Sequence, residues 1–354
     1  MRSHPSSSPR RRGALLAIGV ALALAATACS GSSAGSDGTS ATTSGATTSG
    51  ATTSGGAAGQ ASTTTAAVVA TPGCGKRADV AAIGAQAPGD VVQTLPSGGV
   101  DRSYRLAVPT GYDPAEPAPL VLNLHGSGSN ALQASIYGDV PRQATGRGMI
   151  VATPDAVDGK WQIAPAGADA DFLDALVTDL ESRYCIDQDR VDIMGISLGA
   201  WKAAVTACSS GDRYAAAVLV AVEVHPNDCR PLPVMAFHGT ADPVVPYGDG
   251  ADPGVVVTGS NRGLPGALFN IAGWAKGGGC DPEPEITTIG DDVVLRRFHG
   301  CDPGVGVELY TVKGGGHTWP GAAIKIGGDP KLTTETIDAT DLALDWFEAH
   351  PRRS

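Results

Sequence analysis

The sequence predicts an α/β fold with a mostly parallel central sheet flanked by helices. Short apolar runs alternate with longer stretches of helical periodicity, and one run is apolar enough to be buried on both faces of a sheet. This pattern continues without a break in composition from about Cys74 to the C-terminus. A region of about 280 residues can bury a sizeable core by itself, so we expect one domain.

Each predicted strand or helix rests on a local sequence pattern. The run Ser103–Val108 alternates like an edge strand, whereas Leu120–Leu124 is apolar apart from Asn123, as expected of a central strand. Asp171–Arg183 places its apolar side chains at helical spacing. Further strands are predicted at 149–154, 191–194, 215–222, 234–237 and 308–312, and further helices at 198–208 and 337–349.

Residues 1–28 have the features of an export signal. Arg2 and Arg10–Arg12 form a basic region, and the apolar stretch that follows is shorter than the ~20 residues of a membrane-spanning helix. Small residues precede Cys29, as in a bacterial lipobox, whose cysteine is acylated; the residue three before it is alanine rather than the commoner leucine. An ordinary secretory signal and twin-arginine export both stay open. In every case we expect the protein to leave the cytoplasm, either secreted or anchored to the membrane through Cys29.

Residues 29–73 are predicted to be a flexible tether. They consist mainly of Gly, Ser, Thr and Ala and include three tandem copies of Ala-Thr-Thr-Ser-Gly at 41–55. Such a segment has too little apolar surface to offset the entropy lost on ordering. A lipid anchor followed by this tether would hold the predicted domain, 74–354, away from the membrane.

Charge and cysteine content limit the classes of function that we expect for this chain. The formal net charge is -11 and the folded part has no basic cluster, which argues against nucleic-acid binding. Six cysteines follow Cys29, and an even number in an exported protein suggests disulfides, with fifteen possible connectivities. We favour Cys280–Cys301, which flank a short hairpin-like segment, and then Cys208–Cys229 and Cys74–Cys185 by elimination. No Cys/His spacing suggests zinc, and we expect no metal or cofactor.

The pentapeptide Gly195-Ile196-Ser197-Leu198-Gly199 is the first candidate for chemistry. Gly-x-Ser-x-Gly alone is a weak signal in a glycine-rich chain, but here an apolar strand precedes it and a helix-compatible segment follows. A nucleophile elbow needs both, because its strained serine points the hydroxyl out of the sheet. We interpret Ser197 as a nucleophile; the alternative is a glycine-rich turn without chemistry.

A serine hydroxyl needs a base to remove its proton, and the chain has seven histidines. We predict that His317 is this base, because it lies in Gly-Gly-Gly-His-Thr-Trp-Pro-Gly on a loop after the last predicted strand. A loop histidine bonded to backbone is the alternative, and it would leave the glycine run unexplained. His125 and His238 each precede a glycine after a strand, where histidine often braces a turn. The others lack distinctive surroundings: His4, His225, His299 and His350.

Asp242 is predicted to orient the base. It follows the strand 234–237, in a loop at a carboxyl end of the predicted sheet, with Asp249 and Asp252 as nearby competitors. The order Ser197, Asp242, His317 is that of α/β-hydrolases rather than of chymotrypsin or subtilisin.

Acyl transfer also needs donors aimed at the developing oxyanion, each worth ~3–4 kcal/mol. The amide of Leu198, directly after the nucleophile, is one candidate. The amide of Ser127 is the other, in the glycine-rich turn 124–129 after the predicted central strand. A plain glycine-rich turn is the alternative for this segment.

Four motifs together resemble the poly(3-hydroxybutyrate) depolymerase-like and feruloyl esterase-like secreted esterases of the α/β-hydrolase superfamily. They are His-Gly-Ser at 125–127, Gly-Ile-Ser-Leu-Gly at 195–199, His-Gly-Thr-Ala-Asp-Pro-Val-Val-Pro-Tyr at 238–247 and Gly-Gly-Gly-His-Thr-Trp-Pro-Gly at 314–321. The resemblance implies an α/β-hydrolase fold with little or no lid that cleaves carboxylic esters without a metal. It also implies that 155–161 and Asp169 line or support the site, and that Trp161 and Trp319 contact a ring or polymer.

The resulting hypothesis is a secreted serine esterase that forms an acyl-enzyme. Leu198 and Ser127 replace residues common in this family, which affects the pocket wall and therefore the substrate rather than the reaction. Feruloyl, acetyl, short aliphatic and hydroxyalkanoate esters all stay open. The alternatives are a serine peptidase of the same fold and a non-catalytic binding module on the cell surface.

Overall fold

The protein contains one central sheet in the computed structural model, which describes residues 71–76, 91–248, 266–325 and 330–352. Its ten strands among these residues are β1 (Val91–Ser97), β2 (Val100–Ala107), β3 (Ala118–Leu124), β4 (Ile150–Pro154), β5 (Ile186–Ile196), β6 (Ala217–Val220), β7 (Val234–Gly239), β8 (Glu285–Ile289), β9 (Val293–Phe298) and β10 (Val307–Val312). Their order across the sheet is β1-β2-β4-β3-β5-β6-β7-β10-β9-β8.

The centre of the sheet is parallel and its two edges are antiparallel. Neighbouring strands from β4 through β3, β5, β6 and β7 to β10 all pair in parallel. Every residue of β3, β4, β6, β7 and β10 is buried, as expected for strands covered on both faces. The hairpins β1–β2 and β8–β9 extend the sheet at its two edges.

Six helices cover the two faces of the described sheet: α1 (Ala131–Tyr137), α2 (Val140–Gly146), α3 (Ala168–Arg183), α4 (Leu198–Ser209), α5 (Ala267–Gly277) and α6 (Ala339–Ala349). Apolar side chains of α3, α4 and α5 belong to one core cluster, and those of α1, α2 and α6 belong to the other. Strand β3 contributes side chains to both clusters, because successive residues of a strand face opposite sides of the sheet. Leu122 belongs to the first cluster and Val121 to the second. The predicted α/β architecture is thus confirmed.

Most predicted elements are present with shifted ends. Strand β5 is longer than predicted and begins at Ile186, and α3 begins at Ala168. The sequence analysis did not predict β1, α1, α2 or α5, and it noted β8 and β9 only as a hairpin-like segment between Cys280 and Cys301. Two of these helices are only 7 residues long, too short to show a helical period.

Three disulfides join the six cysteines that follow Cys29: Cys74–Cys185, Cys208–Cys229 and Cys280–Cys301. All three favoured pairings are therefore present. The first fastens the start of the described chain to β5, and Thr71 adds to it: its hydroxyl accepts a hydrogen bond from the Ile186 amide at 2.9 Å. The chain is thus held three residues before the predicted boundary at Cys74.

The predicted export signal, Cys29 and nearly all of the predicted tether lie outside the described residues. No helix among those that are described is long and apolar enough to span a membrane.

Candidate active site

Ser197 lies at the sharp turn between β5 and α4. Its backbone has φ 58° and ψ -123°, a combination that residues other than glycine rarely adopt. The Ser197 amide donates to the Val220 carbonyl at 2.8 Å, and its carbonyl accepts from the Trp201 amide at 3.0 Å. Hydrogen bonds to β6 and α4 thus hold the strained residue in place, as a nucleophile elbow requires.

The two glycines of the pentapeptide permit this close approach. A Cβ atom on Gly195 would lie 2.6 Å from the carbonyl carbon of Gly199, and one on Gly199 would lie 2.3 Å from the Leu124 carbonyl oxygen. Both contacts are with backbone that cannot move aside. Glycine is therefore sterically necessary at both positions.

His317 and Asp242 are brought together from separate loops. The Nδ1 atom of His317 lies 2.6 Å from Oδ2 of Asp242. The Asp242 side chain is fully buried, whereas the His317 side chain keeps 18% of its surface exposed. An imidazole with one nitrogen on a buried carboxylate and the ring partly open to solvent is arranged to accept a proton from a substrate-side group.

Two hydrogen bonds fix the loop of His317 against that of Asp242. The Gly314 amide donates to the Thr240 hydroxyl at 2.8 Å, and the Ala241 amide donates to the Gly315 carbonyl at 2.8 Å. The glycine run before His317 thus contacts the turn after β7. The competing residues Asp249 and Asp252 lie outside the described residues.

Ser197 and His317 line one cavity of about 370 Å³ at the carboxyl ends of β5 and β10. In the described part of the chain, the hydrogen bond of the His317 ring goes to Asp242, and none joins it to Ser197. Such contacts are often loose without substrate and tighten when it binds. The geometry therefore brings the two residues to one site without a direct bond.

The predicted oxyanion turn borders the same cavity. Ser127 is exposed there, and the turn is held by the Gly128 amide, which donates to the Gly159 carbonyl at 2.8 Å. The Ser127 and Leu198 amides donate to no acceptor among the residues that the structure describes. Both are thus available to an oxyanion, and Leu198 is also the first residue of α4, where the helix dipole favours negative charge.

Trp161 does not occupy the predicted position of a substrate contact. It is 4% exposed and does not line the cavity; its indole Nε1 donates to the His125 carbonyl at 2.9 Å. His125 in turn accepts from the Ala156 amide at Nε2 and lies 2.7 Å from the Gly126 carbonyl at Nδ1. Burial lowers the pKa of His125, so it braces the oxyanion turn as a neutral ring. Trp161 supports that turn from behind.

Asp169 likewise lies behind the site rather than in it. The resemblance implied that it lines or supports the pocket; it is buried and forms an ion pair with Arg102 at 2.8 Å. Its other oxygen accepts from the Gln162 amide at 2.6 Å, next to Trp161. Its role in the structure is to hold the 161–162 segment.

Trp319, by contrast, forms part of the cavity wall. Its indole nitrogen donates to the Thr340 hydroxyl at 2.9 Å, which fixes the ring, and the Tyr137 ring lies 6.0 Å away. Apolar side chains continue this wall: Ile196, Val244, Ile324 and Leu332.

Tyr137 is a cavity residue that the sequence analysis missed. It ends α1, an element too short to be predicted, and its buried hydroxyl makes no hydrogen bond to any described residue. Burial raises the pKa of this phenol, while the nearby Gly126 backbone and Ser129 hydroxyl oppose the rise. Tyr137 thus lines the cavity, while its hydroxyl is buried behind that wall and its desolvation is left uncompensated.

The chain is similar in sequence to several esterases, and no family model matches it. It is 33% identical to feruloyl esterase B of Piromyces equi over 231 residues, which are 61% of this chain and 42% of that protein. It is 29% identical to the putative esterase NocK of Nocardia uniformis over 70% of this chain and 80% of that one. Feruloyl esterase C of Emericella nidulans is 27% identical over 71% of this chain and 91% of its own.

The chain thus spans less than half the length of the first of these relatives. Among solved structures, the acetyl xylan esterase of Aspergillus awamori is similar with a TM-score of 0.51 at 16% identity, covering 73% of this chain and 99% of that one. Together with the strand order, this likeness shows the α/β-hydrolase fold.

Proposed function

We propose that this chain, a relative of esterases with the α/β-hydrolase fold, is a serine carboxylic ester hydrolase. One observation carries the proposal: the imidazole of His317, bonded to buried Asp242 at 2.6 Å, faces the same cavity as the strained Ser197. A nucleophile, a base and an orienting carboxylate in one place are the parts that acyl transfer needs.

The first half of the reaction forms the acyl-enzyme. Nδ1 of His317 is bonded to Asp242, so Nε2 takes the proton from Ser197 Oγ as that oxygen attacks the ester carbonyl. The carbonyl oxygen becomes an anion held by the Ser127 and Leu198 amides. When the tetrahedral intermediate collapses, the bond to the alcohol breaks and the alcohol leaves with the proton from His317.

The second half releases the acid. His317 Nε2 removes a proton from water, the resulting hydroxide attacks the acyl carbonyl, and the bond to Ser197 Oγ breaks as that oxygen regains the proton. Asp242 stays ionised throughout and stabilises the imidazolium. No step in this scheme uses a metal or cofactor.

Feruloyl and related aryl esters are the substrates we favour. The aromatic rings of Trp319 and Tyr137 and the aliphatic side chains beside them form a wall suited to a flat acyl group. Two of the relatives above are feruloyl esterases by name, and the structural neighbour is an acetyl xylan esterase. Acetyl and hydroxyalkanoate esters are the other substrates that we propose.

The N-terminal features add a proposal on location. The basic and apolar residues before Cys29 and the polar repeats after it support export and anchoring by an acylated cysteine, and three disulfides fit an oxidising compartment. Metabolic labelling with an alkyne fatty acid tests this proposal. Wild type should be labelled and retained in the membrane fraction, and Cys29→Ser should be neither.

Replacement of Ser197 by alanine tests the proposed reaction. The full-length chain should hydrolyse methyl ferulate and p-nitrophenyl acetate and react with a fluorophosphonate probe, and Ser197→Ala should do neither. Ser209→Ala, an exposed serine at the other end of α4, is the matched control and should keep both activities. Hydrolysis by Ser197→Ala at the wild-type rate would refute the assignment.

A further inference from the structure

His238 has a hydrogen-bond acceptor at each of its ring nitrogens. It lies in β7, four residues before Asp242, and its side chain is 1% exposed. Its Nδ1 atom lies 2.7 Å from Oε2 of Glu223, and its Nε2 atom lies 2.9 Å from the Val245 carbonyl oxygen. A carbonyl oxygen and an ionised carboxylate can only accept. Opposite a Glu223 carboxylate and the Val245 carbonyl, both ring nitrogens act as donors only when the ring is an imidazolium.

The surroundings of His238 supply the charge that such a cation needs. Glu223 follows β6, and its side chain is 2% exposed. Its Oε1 accepts from the Asn270 amide group at 3.3 Å, which fixes the carboxylate from α5. The other charged group facing the ring is Asp242, whose Oδ2 lies 3.6 Å from Nε2, and the Tyr247 ring packs edge-on at 5.5 Å.

These charges outweigh the cost of burying the ring. Burial by itself lowers the pKa of His238, but the charges of Glu223 and Asp242 and the hydrogen bonds of the ring together raise it to about 9. His125 is buried as well but has no bonded carboxylate, and its pKa is lowered. This contrast indicates that the neighbouring carboxylates keep the proton on His238.

Val245 connects this cation to the candidate triad. Its carbonyl accepts from His238, and its amide donates to Oδ1 of Asp242 at 2.9 Å. The Val244 amide donates to the same oxygen at 2.8 Å. His238 thus holds the turn 242–245 at Val245, and the Val244 and Val245 amides hold Oδ1 of Asp242. Oδ2 of Asp242 is left to accept from His317.

We propose that His238, kept as a cation by Glu223, is a positioning residue that fixes Asp242 and the turn 242–245 behind His317. The proposal rests on the proposed function, because it assigns this pair a role in the same site. His238 transfers no proton in the reaction and does not touch the substrate. It holds the carboxylate in the one orientation that presents Oδ2 to the imidazole.

Glu223→Gln is the informative variant, because glutamine keeps the shape and the hydrogen bond but removes the charge. We expect kcat on p-nitrophenyl acetate to fall roughly ten- to a hundredfold with KM within about twofold, because misplacement of a triad member slows chemistry more than binding. Glu308→Gln is the matched control: it makes the same change at another buried carboxylate, paired with Arg297 on the neighbouring strand β9. Its kcat should stay at the wild-type value.

The alkaline limb of the kcat profile separates positioning from a merely structural role. In the wild type kcat should fall as the pH rises through about 9, where His238 loses its proton. Loss of the Glu223 charge lowers the pKa of His238, so this fall should begin at lower pH in Glu223→Gln. Glu223→Asp, which restores the charge, should move the limb back toward the wild-type position. An unmoved limb in Glu223→Gln would overturn the proposal.

A measurement on the wild type keeps the proposal testable if Glu223→Gln does not fold. Nitrogen-15 spectra of labelled histidine rings at about pH 7 should show both nitrogens of His238 protonated. A neutral His238 ring would overturn the proposal. Failure of the wild type to hydrolyse any ester would instead refute the proposed function, because the ring spectrum does not depend on activity.

Discussion

Oδ2 of Asp242 accepts from Nδ1 of His317 at 2.6 Å, while Oδ1 of the same carboxylate accepts from two backbone amides, those of Val244 and Val245. Each oxygen thus has its own set of donors. The carboxylate cannot rotate without losing all three bonds. The imidazole is therefore held in the tautomer that carries its proton on Nδ1 and leaves Nε2 free to act as a base.

Asp242→Asn should lower kcat by roughly a thousand- to ten-thousandfold. The asparagine oxygen will keep the two backbone amides as donors, so its NH₂ group will face His317. Nδ1 must then accept a hydrogen bond, and the proton moves to Nε2, the atom that should receive the proton of Ser197. Steady-state kinetics on p-nitrophenyl acetate check this, with thermal unfolding to confirm that the variant is folded. A kcat within tenfold of the wild type would contradict the assigned role.

Tyr137→Phe should stabilise the fold and leave substrate binding nearly unchanged. Its hydroxyl is buried without a partner in the described structure, and removing such a group returns about 1 kcal/mol or more of desolvation cost. Phenylalanine keeps the ring at the cavity wall and the hydroxyl lies behind it, so KM for methyl ferulate should stay within about twofold of the wild-type value. Chemical denaturation and steady-state kinetics measure the two effects separately.

Tyr214→Phe is the control for this prediction. Tyr214 is also buried and its hydroxyl also lacks a hydrogen bond in the described structure, but it does not line the cavity. Its removal should stabilise the protein to a similar degree and leave KM unchanged. A KM that rises more than threefold in Tyr137→Phe but not in Tyr214→Phe would contradict this prediction and show that the phenol takes part in substrate binding.

The parts of the fold that the sequence predicted are those with strong periodic signals. Runs of mostly apolar residues indicated β3, β4 and β7, because strands covered on both faces have no polar side to interrupt them. Strand β8 is mostly exposed and polar, so nothing in its sequence distinguished it from a loop except the cysteines around the hairpin. No local pattern indicated the order of the strands across the sheet.

In the candidate site, the sequence indicated the residues that we propose to carry the chemistry and not those that support them. Asp242 and His317 stand in long motifs and Ser197 in a pentapeptide between a strand and a helix, and the structure gathers the three at one end of the sheet. Trp161 was expected at the substrate because its aromatic side chain suits a ring, but its indole bonds to backbone behind the oxyanion turn. Glu223 went unnoticed because its partner His238 is 15 residues away and only tertiary packing joins them.

The disulfides should stabilise the fold unequally. Cys74–Cys185 closes a loop with a sequence separation of 111, whereas the other two close loops of 21. In the chain-entropy description the longer loop contributes about 1.5 kcal/mol more. Cys74→Ala/Cys185→Ala should therefore lower the free energy of unfolding more than Cys208→Ala/Cys229→Ala, as measured by denaturant titration. The reverse order would show that strain or residual structure outweighs loop entropy.

Asp192→Asn should make stability less dependent on pH. Asp192 is fully buried on β5, where one oxygen accepts from the Ala216 amide at 3.1 Å and the other has no hydrogen bond to a described residue. Burial raises the pKa of this carboxyl well above its ordinary value, while the Ala216 amide and Arg190 oppose the rise. The folded protein therefore keeps Asp192 protonated over a pH range in which the unfolded chain ionises it.

The sign of the effect follows from that difference. Below the ordinary pKa of aspartate, about 4, the carboxyl is protonated in both states and the variant should resemble the wild type. As the pH rises toward the raised pKa, the wild type should lose about 1.4 kcal/mol per pH unit relative to Asp192→Asn. Denaturant titrations of both proteins across this range measure the difference, and Asp291→Asn, an exposed aspartate, serves as control. Because other carboxylates titrate alike in both proteins, a difference that stays constant with pH would mean that Asp192 is ionised in the fold.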